Sequence, residues 1–159
     1  MKIGEKGMMH DVFLSAGDKP SDWVKRLRQA GVQVAGDVEE KIVARPYYRR
    51  SLYEVVLFDG HSFHRSHLSY QLLAFESRRQ LCGNICLEAA CLLFISLKAD
   101  FMESFNFQTV LAFHDPFIEE GKSEQLALIY ENGIFILRTV LLPDYSGQSK
   151  CWAYAFQRI

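Results

Sequence analysis

The sequence predicts an α+β domain, with two to three helices packed on one face of a mostly antiparallel C-terminal sheet of at least four strands. Three observations carry this. The last third of the chain holds four apolar runs of strand length separated by turn residues. Asn132-Gly133 lies between two of them, a strong hairpin signal because both turn positions need positive φ. The stretch ICLEAACLLFISLK, 85–98, is polar only at Glu88, Ser96 and Lys98, so it reads as a helix buried nearly all round. Helices first and an antiparallel meander after them is an α+β order.

The elements follow in chain order. DVFLS, 11–15, reads as a short strand. In DKPSDWVKRLRQAG, Ser21 or Asp18 can cap a helix, Pro20 suits its first turn and Gly31 stops it; Trp23, Leu27 and Ala30 share a face. VQVAG, 32–36, reads as another short strand. KIVAR and SLYEVVLFDG are strand-like on either side of Arg45-Pro46-Tyr47-Tyr48. Ser66 is placed to cap a second helix reaching Gln80, with Leu68, Leu72 and Phe75 inward and Arg78 and Arg79 outward. Gly83 breaks it, and Asn84 caps the apolar helix. FQTVLAFH (107–114), QLALIYE (125–131), IFILRTVLL (134–142) and CWAYAFQR (151–158) are the four strands. In the last one Trp152, Tyr154 and Phe156 face one way, and Cys151, Ala153 and Ala155 the other.

A chain of 159 residues supports one domain, 1–159, with a proper core. Hydrophobic residues make up 49% and charged residues 23%, a globular rather than a disordered balance. With 18 basic and 19 acidic side chains the formal charge is −1, so no global field draws the chain to nucleic acid or acidic membranes. The longest uncharged apolar run, AACLLFI, 89–95, is far short of a bilayer span. With no targeting segment in MKIGEKGMMHDVFL, the expectation is a cytoplasmic protein. Cys82, Cys86, Cys91 and Cys151 contain no CxxC pair and are expected as free thiols.

Three clusters carry candidate chemistry. The first is QLCGNIC, 80–86. With Asn84 as cap, Cys86 falls in the first helical turn, where backbone N–H groups and the macrodipole favour a thiolate. The segment resembles the nucleophile segment of papain-like cysteine hydrolases over about a dozen residues. That resemblance implies Cys86 as nucleophile and Gln80 as oxyanion-hole donor, although Leu87 stands where the family has an aromatic residue. His114 is the base that lies downstream, and antiparallel pairing puts it near Gln125. The competing reading is that these cysteines are small core hydrophobes.

The second cluster is His61, His64 and His67, with His114-Asp115 as a completing pair. Histidine is the commonest metal ligand, but steps of three drift by about 60° each on a helix and alternate on a strand, which argues against convergence. No metal site is favoured. The third is Arg45-Pro46-Tyr47-Tyr48-Arg49-Arg50, where Arg45, Arg49 and Arg50 are phosphate or nucleic-acid candidates beside two rings that can stack. Separately, HDVFLSAGDKPSDWVKRLRQAGVQV, 10–34, resembles the opening of Toll/interleukin-receptor-type domains. That resemblance implies a parallel α/β fold and, in some members, NAD cleavage.

Together these residues favour a non-catalytic binding module for a small apolar ligand or a partner protein. Its surface would be a sheet face carrying Trp152, Tyr154, Phe156 and Phe113. The reading calls for no cofactor, no membrane and no nucleic acid, and leaves a homodimer open. The alternative is a papain-type hydrolase or acyltransferase using Cys86, His114 and Gln80; a further alternative is metal binding by the three-histidine cluster.

Overall fold

The computed structural model describes residues 2–3, 8–15, 17–46, 52–60, 70–141 and 151–159. Five helices and ten strands lie along them. They are β1 (Lys2–Ile3), β2 (Met8–Leu14), α1 (Pro20–Gln29), β3 (Val32–Val34), α2 (Gly36–Val43) and β4 (Leu52–Asp59). There follow α3 (Tyr70–Arg79), β5 (Cys82–Gly83), α4 (Leu87–Ser96), α5 (Ala99–Ser104), β6 (Thr109–Ala112) and β7 (Phe117–Glu119). The chain ends with β8 (Lys122–Glu131), β9 (Ile134–Leu141) and β10 (Trp152–Arg158).

The α+β class holds, but the sheet is mixed, and its path is β1-β2-β4-β10-β6-β8-β9-β3. The expected C-terminal meander stops at β9. β10 leaves it and inserts between β4, to which it is antiparallel, and β6, to which it is parallel. β3 adds to the far edge parallel to β9. The N-terminal strands β2 and β4 are therefore part of the sheet, paired antiparallel over seven positions from Met8↔Phe58 to Leu14↔Leu52. This antiparallel start is not the parallel βαβ opening that the Toll-type resemblance implies.

Strand alternation sorts the apolar residues onto two faces. Tyr53, Val55, Leu57, Ala153, Ala155, Val110 and Leu128 join one core cluster with α1 (Trp23, Val24, Leu27), α2 (Val38, Ile42), α4 and Met102 of α5. Val56, Phe58, Leu111, Phe113, Trp152, Tyr154 and Phe156 form a second cluster, against which Ala74 of α3 packs. Helices thus lie on both faces, rather than two to three on one.

Several elements form as their residues dictate. In α1, Pro20 takes the first turn and Gly31, at φ +88°, ends it. The cap is Lys19 rather than Ser21 or Asp18: its N–H donates to the Asp22 carboxylate (3.1 Å). KIVAR is not a strand. Val38 and Ile42 are one helical turn apart, and α2 buries both against the sheet. Phe75 is not inward either; it is 59% exposed, while Ala74 and Ser77 face the protein. Leu68 lies outside the described residues. Asn132 and Gly133 take φ +53° and +78° in the β8–β9 turn.

α4 is buried from Glu88 to Phe94. The small residues Ala89, Ala90 and Cys91 belong to the same cluster as Ala153 and Ala155, which lets helix and sheet approach closely. Leu93→Ala should therefore lower stability by about 2–5 kcal/mol, whereas Phe75→Ala should change it by less than about 0.5 kcal/mol. Urea denaturation of both variants checks the pair; equal losses would contradict this layering.

Candidate functional site

The site lies where β5 hands the chain to α4. Ile85 N–H donates to Phe113 O (3.0 Å), which pins this connection to the end of β6. Cys86 is itself the N-cap of α4, not a first-turn residue behind an Asn84 cap: its φ and ψ are −73° and 155°, and its sulfur accepts from Ala89 N–H (3.5 Å). Asn84 instead donates to Asp115 Oδ1 (2.6 Å). The Cys86 N–H is engaged by Gln157 Oε1 (3.1 Å), which projects from the end of β10.

In the first turn of α4, Glu88 is the single charge on an otherwise apolar helix and is buried. Both carboxylate oxygens are satisfied, as a buried charge requires. Tyr53 Oη donates to Oε2 (2.6 Å) and Ser15 Oγ donates to Oε1 (2.6 Å). Tyr53 and Cys86 line the same cavity. Burial, then the Glu88 hydrogen bond, hold the Tyr53 phenol well above its usual range, so it stays protonated. Burial likewise pushes the thiols of Cys91 and Cys82 up. None of the four cysteines forms a disulfide among the described residues, and Cys86 is half-buried.

A cavity of about 480 Å³ opens beside these groups, with Trp23, Tyr53, Cys86, Glu88, Asp115 and Gln157 in its wall. Trp23 is 2% exposed, and its indole N–H has no hydrogen-bond partner among the described residues. A buried donor left without a partner costs about 1–3 kcal/mol.

Cys86 and His114 meet in the wall of a smaller neighbouring cavity of about 180 Å³. His114 lies near Gln125 as strand order predicts, and Gln125 Nε2 donates to its carbonyl (2.6 Å). Both ring nitrogens are committed. Nδ1 lies 2.6 Å from Asp115 O, and Nε2 accepts Leu126 N–H (2.8 Å). That pattern is the neutral ring with its proton on Nδ1. Burial, with the Arg45 charge added, depresses the His114 pKa to about 4, against the pull of the Asp115 carbonyl. Gln80 ends α3, where its N–H donates to Glu76 O and Ser77 O, and it is in neither cavity wall. The glutamine that reaches Cys86 is Gln157.

The expected aromatic surface is core. Phe113, Tyr154 and Phe156 are buried, Trp152 is 9% exposed, and none of the four lines these cavities. Phe156 packs on Phe58 and Phe113 with ring centroids at 5.3 and 4.7 Å. Arg45 is occupied: it donates to Asp115 O (3.2 Å) and Pro116 O (2.5 Å) and lies over the Phe117 ring at 4.7 Å. Arg49, Arg50, His61, His64 and His67 lie outside the described residues. Among the described residues no three His, Cys, Asp or Glu side chains gather as a metal would need, and no helix is long and apolar enough to cross a membrane.

A larger hollow, about 770 Å³, lies at the sheet edge between β3 and β9. Its Arg28 is already paired with Glu39 (2.7 Å) and Val34 O (3.0 Å). The Cys86 cavity is the stronger candidate because its wall joins a thiol to a buried carboxylate and the phenol bonded to it. No family model, curated protein or solved structure matches the chain.

Because His114 is neutral in the folded chain down to about pH 4 but titrates near 6.5 when unfolded, the unfolded state binds the extra proton between those values. The His114 contribution to stability is fully present above pH 6.5 and falls by about 3 kcal/mol in total as pH drops to about 4. In His114→Asn that part of the acid dependence should flatten, measured by urea denaturation across pH 4–7; an unchanged slope would mean the ring titrates normally.

Proposed function

We propose that the protein is a binding module for a small ligand, and that the ligand occupies the cavity at the start of α4 rather than an aromatic sheet face. One observation carries this reading: a cavity of about 480 Å³ whose wall joins the apolar surface of Trp23, Ile85 and Leu87 to the polar groups of Tyr53, Cys86, Glu88 and Gln157. That volume falls in the usual range for small-molecule sites, about 300–1,000 Å³. The wall combines apolar surface from Ile85, Leu87 and the Trp23 ring with a few oriented polar groups. A ligand with an apolar body and a few polar atoms suits it.

The papain-type reading gains from the shared cavity of Cys86 and His114. It loses its base to the two backbone contacts of the imidazole, and its oxyanion donor to the position of Gln80.

A screen of small carbonyl-bearing and carboxylate-bearing compounds, read by quenching of tryptophan emission, tests the binding proposal. Hits should shield Cys86 from N-ethylmaleimide in peptide mass spectra and should fail to bind once Cys86 is blocked with methyl methanethiosulfonate. Leu87→Gln, which puts a polar amide into the apolar part of the wall, should weaken them by about tenfold. Hits that ignore both changes, or a screen with no hits, would refute it.

A further inference from the structure

β9 reads IFILRTVL, and Arg138 is its single charge. Its inner edge is paired with β8 along the whole strand, from Ile134 to Leu141. Its outer edge is covered by β3 only over 135–137, where Val32, Gln33 and Val34 pair with it in parallel. At Ala35 the chain leaves the sheet and starts α2. β3 ends the sheet path, so over 138–141 the outer edge of β9 has no strand beside it among the described residues.

The hollow of about 770 Å³ sits against this open stretch, and Ile136, Leu137, Arg138 and Thr139 all contribute to its wall. Successive residues of a strand point to opposite faces. A hollow that touches four in a row therefore runs along the strand's edge, against its backbone, and not over one face. Ala35 and Asp37, at the start of α2, close its other side. Two of the three charged residues in the wall have a place already. Arg28 is held by Glu39 (2.7 Å), and Asp37 lies in the first turn of α2, where the helix end favours an acid. Arg138 is the third. It is exposed, and among the described residues no carboxylate lies within ion-pairing distance of it.

We propose that this edge docks a partner protein through an extended segment bearing acidic side chains, which adds to β9 in the row that β3 leaves empty. The inference is separate from the small-ligand reading and concerns a different surface. Strand addition takes its affinity from backbone hydrogen bonds and its selectivity from alternate side chains. Four open positions at about 3.3 Å each give about 13 Å of edge, enough for a segment of about four to six residues. An acid on that segment answers Arg138, because opposite charges across paired strands attract and like charges repel. The same sign argues against a second copy as the occupant. Two β9 edges paired about a two-fold axis would bring two Arg138 side chains together over four residues, and β9 has no acid to answer either.

The probe is a fluorescein-labelled peptide of alternating valine and glutamate, about six residues long with blocked ends, read by fluorescence anisotropy against the full chain. Binding should saturate and weaken as salt is added. Arg138→Glu should weaken it by about tenfold and should bind a valine–lysine peptide better than the wild-type chain does, a reversal that loss of fold would not give. If Arg138→Glu fails to fold, Arg138→Gln, which removes the charge alone, decides by the same loss. Two further valine–glutamate peptides carry N-methyl groups on every second amide, one in each phase. Strand addition uses alternate amides, so one phase should keep binding and the other lose it. Bound peptide should also slow hydrogen exchange over 138–141. No anisotropy change up to about 1 mM peptide, equal binding by both methylated phases, or binding indifferent to Arg138 overturns the inference. A dimer of the chain alone that protects 138–141 from exchange gives the edge to a second copy and overturns it as well.

Discussion

A helix with no polar face has to be covered on every side, and that requirement shapes the molecule. α4 is buried through Phe94 and offers water almost nothing. Fully burying each large apolar side chain of such a helix is worth about 1.5–3 kcal/mol, but only if other elements reach it. The sheet face of Tyr53, Val55 and Ala155 covers one flank; Trp23, Val24 and Leu27 of α1 belong to the same packed cluster and cover another. The alanines of α4 and β10 set how closely these layers meet, so helix and sheet act as one unit.

Glu88 is the exception that the burial of α4 makes expensive. An ionised carboxylate in a core needs its hydrogen bonds met locally. Tyr53 comes from β4, and Ser15 follows directly on β2. The same two contacts therefore satisfy the charge, fasten α4 to the N-terminal strands and hold a phenol beside the Cys86 sulfur. Structure and candidate chemistry share one set of bonds here, and the cavity lies where the helix cap leaves the sheet.

His114 shows the opposite outcome. Its place on the chain made it the expected base, and its place in space is indeed beside Cys86, across a small cavity. Yet the strand-end geometry that brings it near Gln125 also hands its ring nitrogens to Asp115 O and Leu126 N–H. A ring whose two nitrogens are spent on backbone is a structural fastener. Spacing along a chain can nominate a residue type, but the free lone pair on which catalysis depends is fixed by neighbours far away in sequence.

Local patterns were enough for what depends on local forces. Period-two alternation gave β10 its two faces, positive φ at Asn132 and Gly133 gave the hairpin, and the lack of charge gave α4 its burial. They misjudged KIVAR, where Ile42 pairs with Val38 four residues before it on the buried face of a helix, and Phe75, whose helix face depends on which side the sheet lies. The insertion of β10 between β4 and β6 could not be read at all, because strand order is set by long-range packing and leaves no mark on the residues of one strand. For the same reason Gln157, Tyr53 and Trp23, scattered across the chain, join Cys86 and Glu88 only once the sheet is assembled. The sequence by itself determined the elements and which residues seek burial; the tertiary structure decided their order, and with it which polar groups came to face the thiol.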